Sequence, residues 1–429
     1  MKVYIHPEIN GLKIYQYTLV LIAVNREIEI DFVENPNEAN VILSYGNNSE
    51  IKISKKFYSD LINGIFNHEN HFKNDCFIKN EFGEIDYLST IFYCVNSIQE
   101  YKAPSDDFLG RFEFKNSYQE KFSNIKINHV QNCIDSFVRS NVKISNEIKT
   151  REKSGFVLTH DIDSVYGSIK EDGMFALKKG GFVDFISLSF RHIIGRADWL
   201  NFEKIMKIES EYEFKSIFYW LLKKDNMNAD YSFKSKKLQR YYSIVKTGGF
   251  ESGLHKSLRP DSINDELELM EKGIDSNRFH FLNFTLPEGY NQIERSEIKI
   301  DLSLGFTEEY GFRNNYGLPF IPYNLKEDRP FSFLEVPMHI MDRTFFRDRL
   351  DVDDVSKELI MWFNENLNNS VFCLNFHNNF FSEFKYRGYI KLYKTLLSYF
   401  KETGLTCYDL NQLKVDYYIP QYNLLSNLK

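Results

Sequence analysis

Two carboxylates one residue apart, Asp161 and Asp163, follow an apolar run in residues 155–163 (GFVLTHDID). Charges at the end of a buried strand are costly unless they are hydrated, paired or bound to a metal. Such a pair can divide labour, one carboxylate ligating a cation while the other takes a proton. For an isolated Asp-x-Asp a capping loop is the plainer reading, because Asp is common in turns. Here the pattern recurs. His255 ends the run 250–254 (FESGL), Arg278 and His280 lie in RFHFLNF, and His377 follows 372–376 (FCLNF). One such His is usually a satisfied core or turn residue. Three, with an Asp-x-Asp, at the ends of successive strands would converge on one rim if those strands are parallel, supplying nitrogen and oxygen ligands for a zinc-like ion. Arg313 in GFRNNYGLPF and Asp301 in KIDLSLGF sit in loop-like surroundings. A guanidinium there could grip a phosphate or carboxylate, or close a loop ion pair. Glu335 in FLEVPM, with Asp342 and Arg343 beyond it, reads either as groove lining or as a salt-bridged loop.

These residues need elements to hold them. Strand-like runs at 156–159, 216–220, 250–255, 279–284 and 372–376 alternate with helical patterns at 202–211, 235–246, 262–272 and 391–402. Ser262 and Asp265 form a capping box, with Gly273 past the helix end. Repeated β-then-α units imply a parallel sheet or barrel, with chemistry just beyond the carboxyl ends of the strands. Residues 1–150 read as a separate unit. Segments 27–32 and 39–44 look like strands, and 86–100 looks like a helix started by Asp86. The charged stretch 146–154 reads as a linker. Residues 171–192 (EDGMFALKKGGFVDFISLSFRH) mix large apolar side chains with Lys, Arg and His. They read either as an inserted helical hairpin packed on the barrel or as a lid touching a lipid-linked substrate or a membrane surface.

The 429 residues allow two or three domains, and a net charge of −7 argues against a broad nucleic-acid surface. Cys76, Cys94, Cys133, Cys373 and Cys407 are odd in number, far apart and without a CxxC pair. A disulfide framework or thiolate zinc site is not expected. No basic segment followed by an apolar core stands near the start, and no run reaches the roughly 18 apolar residues of a spanning helix. The expectation is a cytoplasmic protein.

In order, THDID, GLHKS, RFH, GFRNNYGLPF, LEVPMHIMD and LNFH resemble the NodB-homology polysaccharide deacetylases of carbohydrate esterase family four, over about residues 155–415. The resemblance is in particular to a bacterial subgroup found with surface-polysaccharide genes, whose first motif reads Thr-His-Asp-Val-Asp. The stretch from Asp86 through DFLGRF (107–112) is similar to the N-terminal domain that accompanies this subgroup. The resemblance implies an α/β chain: a distorted (β/α) barrel of NodB type over 151–429, preceded by a smaller accessory α/β domain over 1–150. It implies one divalent metal, zinc by family habit. Asp161 falls on the general base, Asp163 and His255 on metal ligands, Arg278 on the residue that orients the base, and His377 on the general acid. The family's second His would fall on Arg259, which cannot be an ordinary metal ligand. His280 is the candidate replacement. His160 is a weaker replacement, because it alternates to the other side of its strand, and it is placed instead with Arg313, Asp301 and Glu335 in substrate binding.

The implied reaction is hydrolysis of an N-acyl group, acetyl first, from a nucleotide- or polyprenyl-linked amino sugar in surface-glycan assembly, with peripheral membrane contact through 171–192. The rivals are a deformylase or other C–N hydrolase acting on a lipid-linked sugar, and a catalytically silent glycan-binding protein, which Arg259 favours.

Overall fold

The computed structural model describes residues 1–45, 51–66, 71–72, 75–101, 107–140, 154–179, 181–194, 199–347, 351–426 and 428. Of the expected linker at 146–154, all but Ser154 lie outside these residues.

Four short strands, β1 (Lys2–Ile5), β2 (Asp31–Phe32), β3 (Val41–Ser44) and β4 (Ile51–Lys52), form a parallel sheet in the order β2-β1-β3-β4. The helix Leu12–Arg26 is apolar nearly all round and is buried along most of its length, as such a helix must be. The expected strand at 27–32 pairs only over its last two residues, because Glu27 is the left-handed cap of that helix. Asp86 caps the helix Tyr87–Val95 by accepting from the Ser89 N–H at 2.9 Å, and it also accepts from the Ser54 N–H at 2.7 Å. That helix stops short of residue 100. The Asn96 side chain donates back to the Phe92 carbonyl and Ser97 turns left-handed.

The remaining strands are β5 (Gly155–Ile162), β6 (Ile217–Leu221), β7 (Glu251–Lys256), β8 (Ser276–Phe279), β9 (Ile300–Asp301), a hairpin of β10 (Tyr323–Asn324) and β11 (Arg329–Pro330), then β12 (Leu334–Glu335), β13 (Met338–Met341), β14 (Val371–Asn375) and β15 (Thr406–Cys407). All but the hairpin join one parallel sheet in the order β12-β9-β8-β7-β6-β5-β14-β13, with β15 also on β5. β5 is buried along its whole length, which is why its first half, 155–158, is a continuous apolar run rather than an alternating one. Although β12 and β13 are the two ends of this order, only Val336 and Pro337 separate them in the chain. The Val336 N–H donates to the Asp301 carbonyl at 2.8 Å and the Met338 N–H to the Leu304 carbonyl at 2.9 Å. The sheet therefore curls until its edges meet.

The run RFHFLNF behaves differently from its alternating pattern. β8 ends at Phe279, and Phe281 and Leu282 adopt left-handed backbone (φ 57° and 53°) in a short turn. That turn carries His280 off the strand and onto the rim. Helices Phe202–Glu211, Lys236–Thr247 and Tyr389–Glu402 match the sequence pattern closely. The Ser262–Asp265 capping box forms, but its helix is only Ile263–Leu267. Residues 171–192 form a helical hairpin, Ser168–Lys178 followed by Phe182–Ile193. The buried apolar residues of both sheets belong to one continuous core.

Candidate active site

The strand ends deliver their side chains in register. Asn375 of β14 pairs with Thr159 of β5, and His255 of β7 with Arg278 of β8. Around this rim lies a cavity of about 320 Å³ whose lining includes Asp161, Asp163, His255, His280 and His377.

Asp161 is fixed on both oxygens. Oδ1 accepts from Arg278 Nη1 at 2.9 Å and Oδ2 from Asn375 Nδ2 at 2.8 Å. Arg278 is itself fully buried. It donates through Nε to the Leu302 carbonyl and through Nη1 to Thr159 Oγ1, and stacks over Tyr219. Burial alone would raise the Asp161 carboxyl; the Arg278 guanidinium, then His255 and His377, more than offset it and hold it below the ordinary carboxylate value.

Asp163 lies among three imidazoles. His255 Nε2 is 3.2 Å from its Oδ1, while His280 Nε2 and His377 Nε2 are 3.7 and 3.5 Å from its Oδ2. Burial pushes the Asp163 carboxyl up, but His280 and His377 foremost overcome this and hold it well below the usual range. Candidate ligand atoms of Asp163, His255 and His280 all lie within 4.8 Å of one another. Arg259 stands elsewhere, half-exposed and paired with Asp225 at 2.8 Å.

The donor set fits a divalent cation. His255 Nδ1 donates to the Arg278 carbonyl at 2.9 Å, which orients the ring and leaves Nε2 facing Asp163. Asp163 Oδ1 and His280 Nδ1 are buried without a hydrogen-bond partner among the described residues. Buried polar atoms left so are costly until a cation or a proton donor meets them. One carboxylate and two imidazoles are a ligand set suited to zinc.

His377 is held from the far side. Its Nδ1 lies 2.8 Å from Asp342 Oδ1, and its backbone N–H donates to Asp342 Oδ2 at 2.6 Å. Nε2 is left toward Asp163, with Arg343 Nε 3.4 Å away.

The four residues expected to bind substrate are all elsewhere. His160 is fully buried, between Glu209 Oε1 (2.7 Å) and the Phe376 carbonyl (2.6 Å). Arg313 is buried and bidentate on Glu100, at 2.9 and 2.6 Å, with Nη1 on the Gly305 carbonyl. Asp301 and Glu335 are adjacent and fully buried on β9 and β12. Asn277 and the Ser303 N–H bond Asp301, and the Leu304 N–H bonds Glu335. None of the four lines the cavity; each tightens the framework behind it. Its wall is completed instead by Arg111, Arg343, Lys385 and aromatic residues including Phe281, Phe346 and Tyr386. Asn375 carried a legible signal, since it is a polar residue ending an apolar strand just two positions before His377. Lys385 carried none, because its neighbours in the chain are ordinary loop residues, and Arg111 stood out only within the DFLGRF stretch.

No family model and no curated protein matches the chain. Among solved structures, a chain described as a polysaccharide deacetylase from Mycobacterium smegmatis is similar at 11% identity, over 61% of this chain and 94% of that one, with a TM-score of 0.33. A peptidoglycan N-acetylglucosamine deacetylase, in complex with a naphthyl-substituted N-hydroxybenzamide, is similar at 12% identity, over 61% and 86%, with a TM-score of 0.29. Likeness this distant assigns no activity. The geometry of the cavity has to do so.

Proposed function

We propose that the protein is a metal-dependent hydrolase that removes an N-acyl group, acetyl first, from an amino sugar, as its motif resemblance to NodB-type deacetylases implies. One observation carries the reading: a carboxylate–imidazole–imidazole triad shares a cavity wall with a second, guanidinium-held carboxylate and a carboxylate-held imidazole. Asp163, His255 and His280 would hold the cation. Bound there, a divalent metal such as zinc supplies Lewis acidity toward a carbonyl and toward water.

The chain's own groups do the rest. Asp161, kept ionised at neutral pH by Arg278, accepts the proton of the attacking water. Arg278 and Asn375 prevent the carboxylate from rotating while it does so. His377 donates a proton from Nε2 to the departing amine, and Asp342 holds the ring so that Nε2 faces the cavity. Phe281, Phe346 and Tyr386 give the sugar ring apolar faces to lie on.

Asp161→Asn removes the proton acceptor and keeps the shape. It should lower turnover of an N-acetylated amino sugar by about 10²–10⁴-fold, with folding unchanged by circular dichroism. Undiminished acetate release from that variant would refute the assignment. Comparing acetyl with formyl release separates the deacetylase from the deformylase. Metal analysis of purified protein answers the silent-binder reading, which requires no bound metal.

The outer face of the 168–193 hairpin supports a second element of the proposal, contact with an anionic membrane surface on the cytoplasmic side. Phe182, Val183, Ile186, Phe190 and Ile193 are each 63–80% exposed, an unusual density for one short segment. Lys178, Lys179, Arg191 and His192 are exposed beside them, matching the charge of anionic headgroups. No helix among the described residues is long and apolar enough to cross a membrane.

A further inference from the structure

The segment 107–112 lies in the first 150 residues, yet it reaches the active-site cavity. Asp107 organises it. Its Oδ1 accepts from the Leu109 and Arg111 N–H groups at 2.9 and 2.8 Å, and its Oδ2 accepts from Arg111 Nε at 2.6 Å. Gly110 takes the left-handed conformation (φ 76°) that this tight turn requires. Arg111 Nη1 then donates to the Phe281 carbonyl at 2.8 Å, and Thr307 Oγ1 is 3.4 Å away. The guanidinium is thus clamped between the N-terminal segment and the loops that follow β8 and β9, and it lines the cavity. It is 18% exposed, enough to meet a ligand without being free to swing.

Two further cations line the same wall. Arg343, the second residue of the helix Asp342–Arg347 after β13, donates to Asp163 Oδ2 at 3.2 Å. Lys385 packs over Tyr386 and pairs with Glu171 at 2.8 Å. The counter-ions Asp107 and Glu171 are not among the lining residues. Of the carboxylates that do line the cavity, Asp161 is committed to Arg278, and Asp163 is shared between the imidazoles and Arg343. The contents of the cavity therefore meet Arg111 and Lys385, with Arg343 shared with Asp163, beside aromatic faces. An anion of more than one charge and several acceptor oxygens fits such a wall better than a neutral sugar does.

We propose that Arg111, with Arg343 and Lys385, forms a subsite for a phosphate or diphosphate ester on the substrate sugar, so that the N-terminal region completes the active site. The sugar's identity rests on the deacylase reading; the anion subsite does not. The ester could belong to a nucleotide-linked or to a polyprenyl-linked sugar.

Inorganic phosphate and pyrophosphate binding to the full chain, metal-loaded and metal-stripped, is measured by titration calorimetry. Binding that survives metal removal and weakens about tenfold or more in both Arg111→Gln and Lys385→Met supports the subsite. The second variant guards against a folding defect in the first, and melting curves are recorded for both. Anion binding that vanishes with the metal, or that neither variant changes, overturns it. If phosphate binds through Arg111 and no acyl group is ever released, the deacylase reading fails alone. If acyl release is robust and neither variant alters anion binding, the subsite fails alone. The KM values of a uridine-diphosphate-linked and a short polyprenyl-diphosphate-linked N-acetylamino sugar then identify the source. Arg111→Gln should raise the KM of the true carrier the more, at constant kcat.

Discussion

Asp301 and Glu335 show how a buried acidic pair differs from a catalytic one. Their strands place them side by side, and burial pushes both carboxyls up, Asp301 to about 6 and Glu335 further. The folded chain thus keeps protons that the unfolded chain releases above about pH 4. Their stability contribution is fullest below that pH and is lost as pH rises through about 6. Glu335→Gln should flatten this decline, giving urea midpoints at pH 4.5 and 7 closer together than in the unaltered chain. Parallel midpoints in the two proteins would contradict the account. From sequence Asp301 looked like a loop residue near the substrate and Glu335 like groove lining or a salt-bridged loop, because a polar residue beside an apolar strand reads the same whether it meets solvent or a buried partner. His160 misled in the same way, since its partner Glu209 is 49 positions away. Asp161, Asp163, His255 and His377 were legible as a set because parallel strands gather their last residues by construction.

At the scale of elements, the hairpin makes the sharpest prediction. Leu188 and Ala176 bury its inner side, and Asp172 anchors it through Trp199 Nε1 at 3.0 Å and Ser382 Oγ at 2.8 Å. The outer side chains touch little, so Ile186→Ser with Phe190→Ser should shift the melting midpoint hardly at all. The same pair should cut co-sedimentation with phosphatidylglycerol vesicles severalfold, while phosphatidylcholine vesicles bind the unaltered chain weakly. A concentration-dependent dimer that dissolves in the double variant, with no vesicle binding by either protein, would assign this face to a second copy instead. Sequence left this element open between two readings because apolar periodicity reveals a helix face but not what covers it. The turn after β8 was hidden for a related reason. RFHFLNF alternates like a strand, and nothing local announces left-handed backbone at Phe281 and Leu282.

Across the whole molecule, the four-stranded and nine-stranded sheets are joined by buried contacts as well as by chain. The Glu100–Arg313 pair is one of these, both side chains being almost fully enclosed. Removing one partner strands the other charge in the core, so Glu100→Ala should cost about 3–5 kcal/mol of stability. Chemical denaturation measures this, and a loss below about 1 kcal/mol would show that water reaches the arginine. The pair was illegible in the sequence, where 213 residues separate a helix-end Glu from a loop Arg.

The position of β5 within its sheet also bears on biosynthesis. It lies between β6, which follows within about sixty residues, and β14, which is translated more than two hundred residues later. At ordinary elongation rates of about 5–20 residues per second, one edge of this wholly buried strand waits roughly ten to forty seconds for its mate. During that interval the ribosome-bound chain offers unpaired backbone to its neighbours, and a holdase would be most valuable before His377 has emerged.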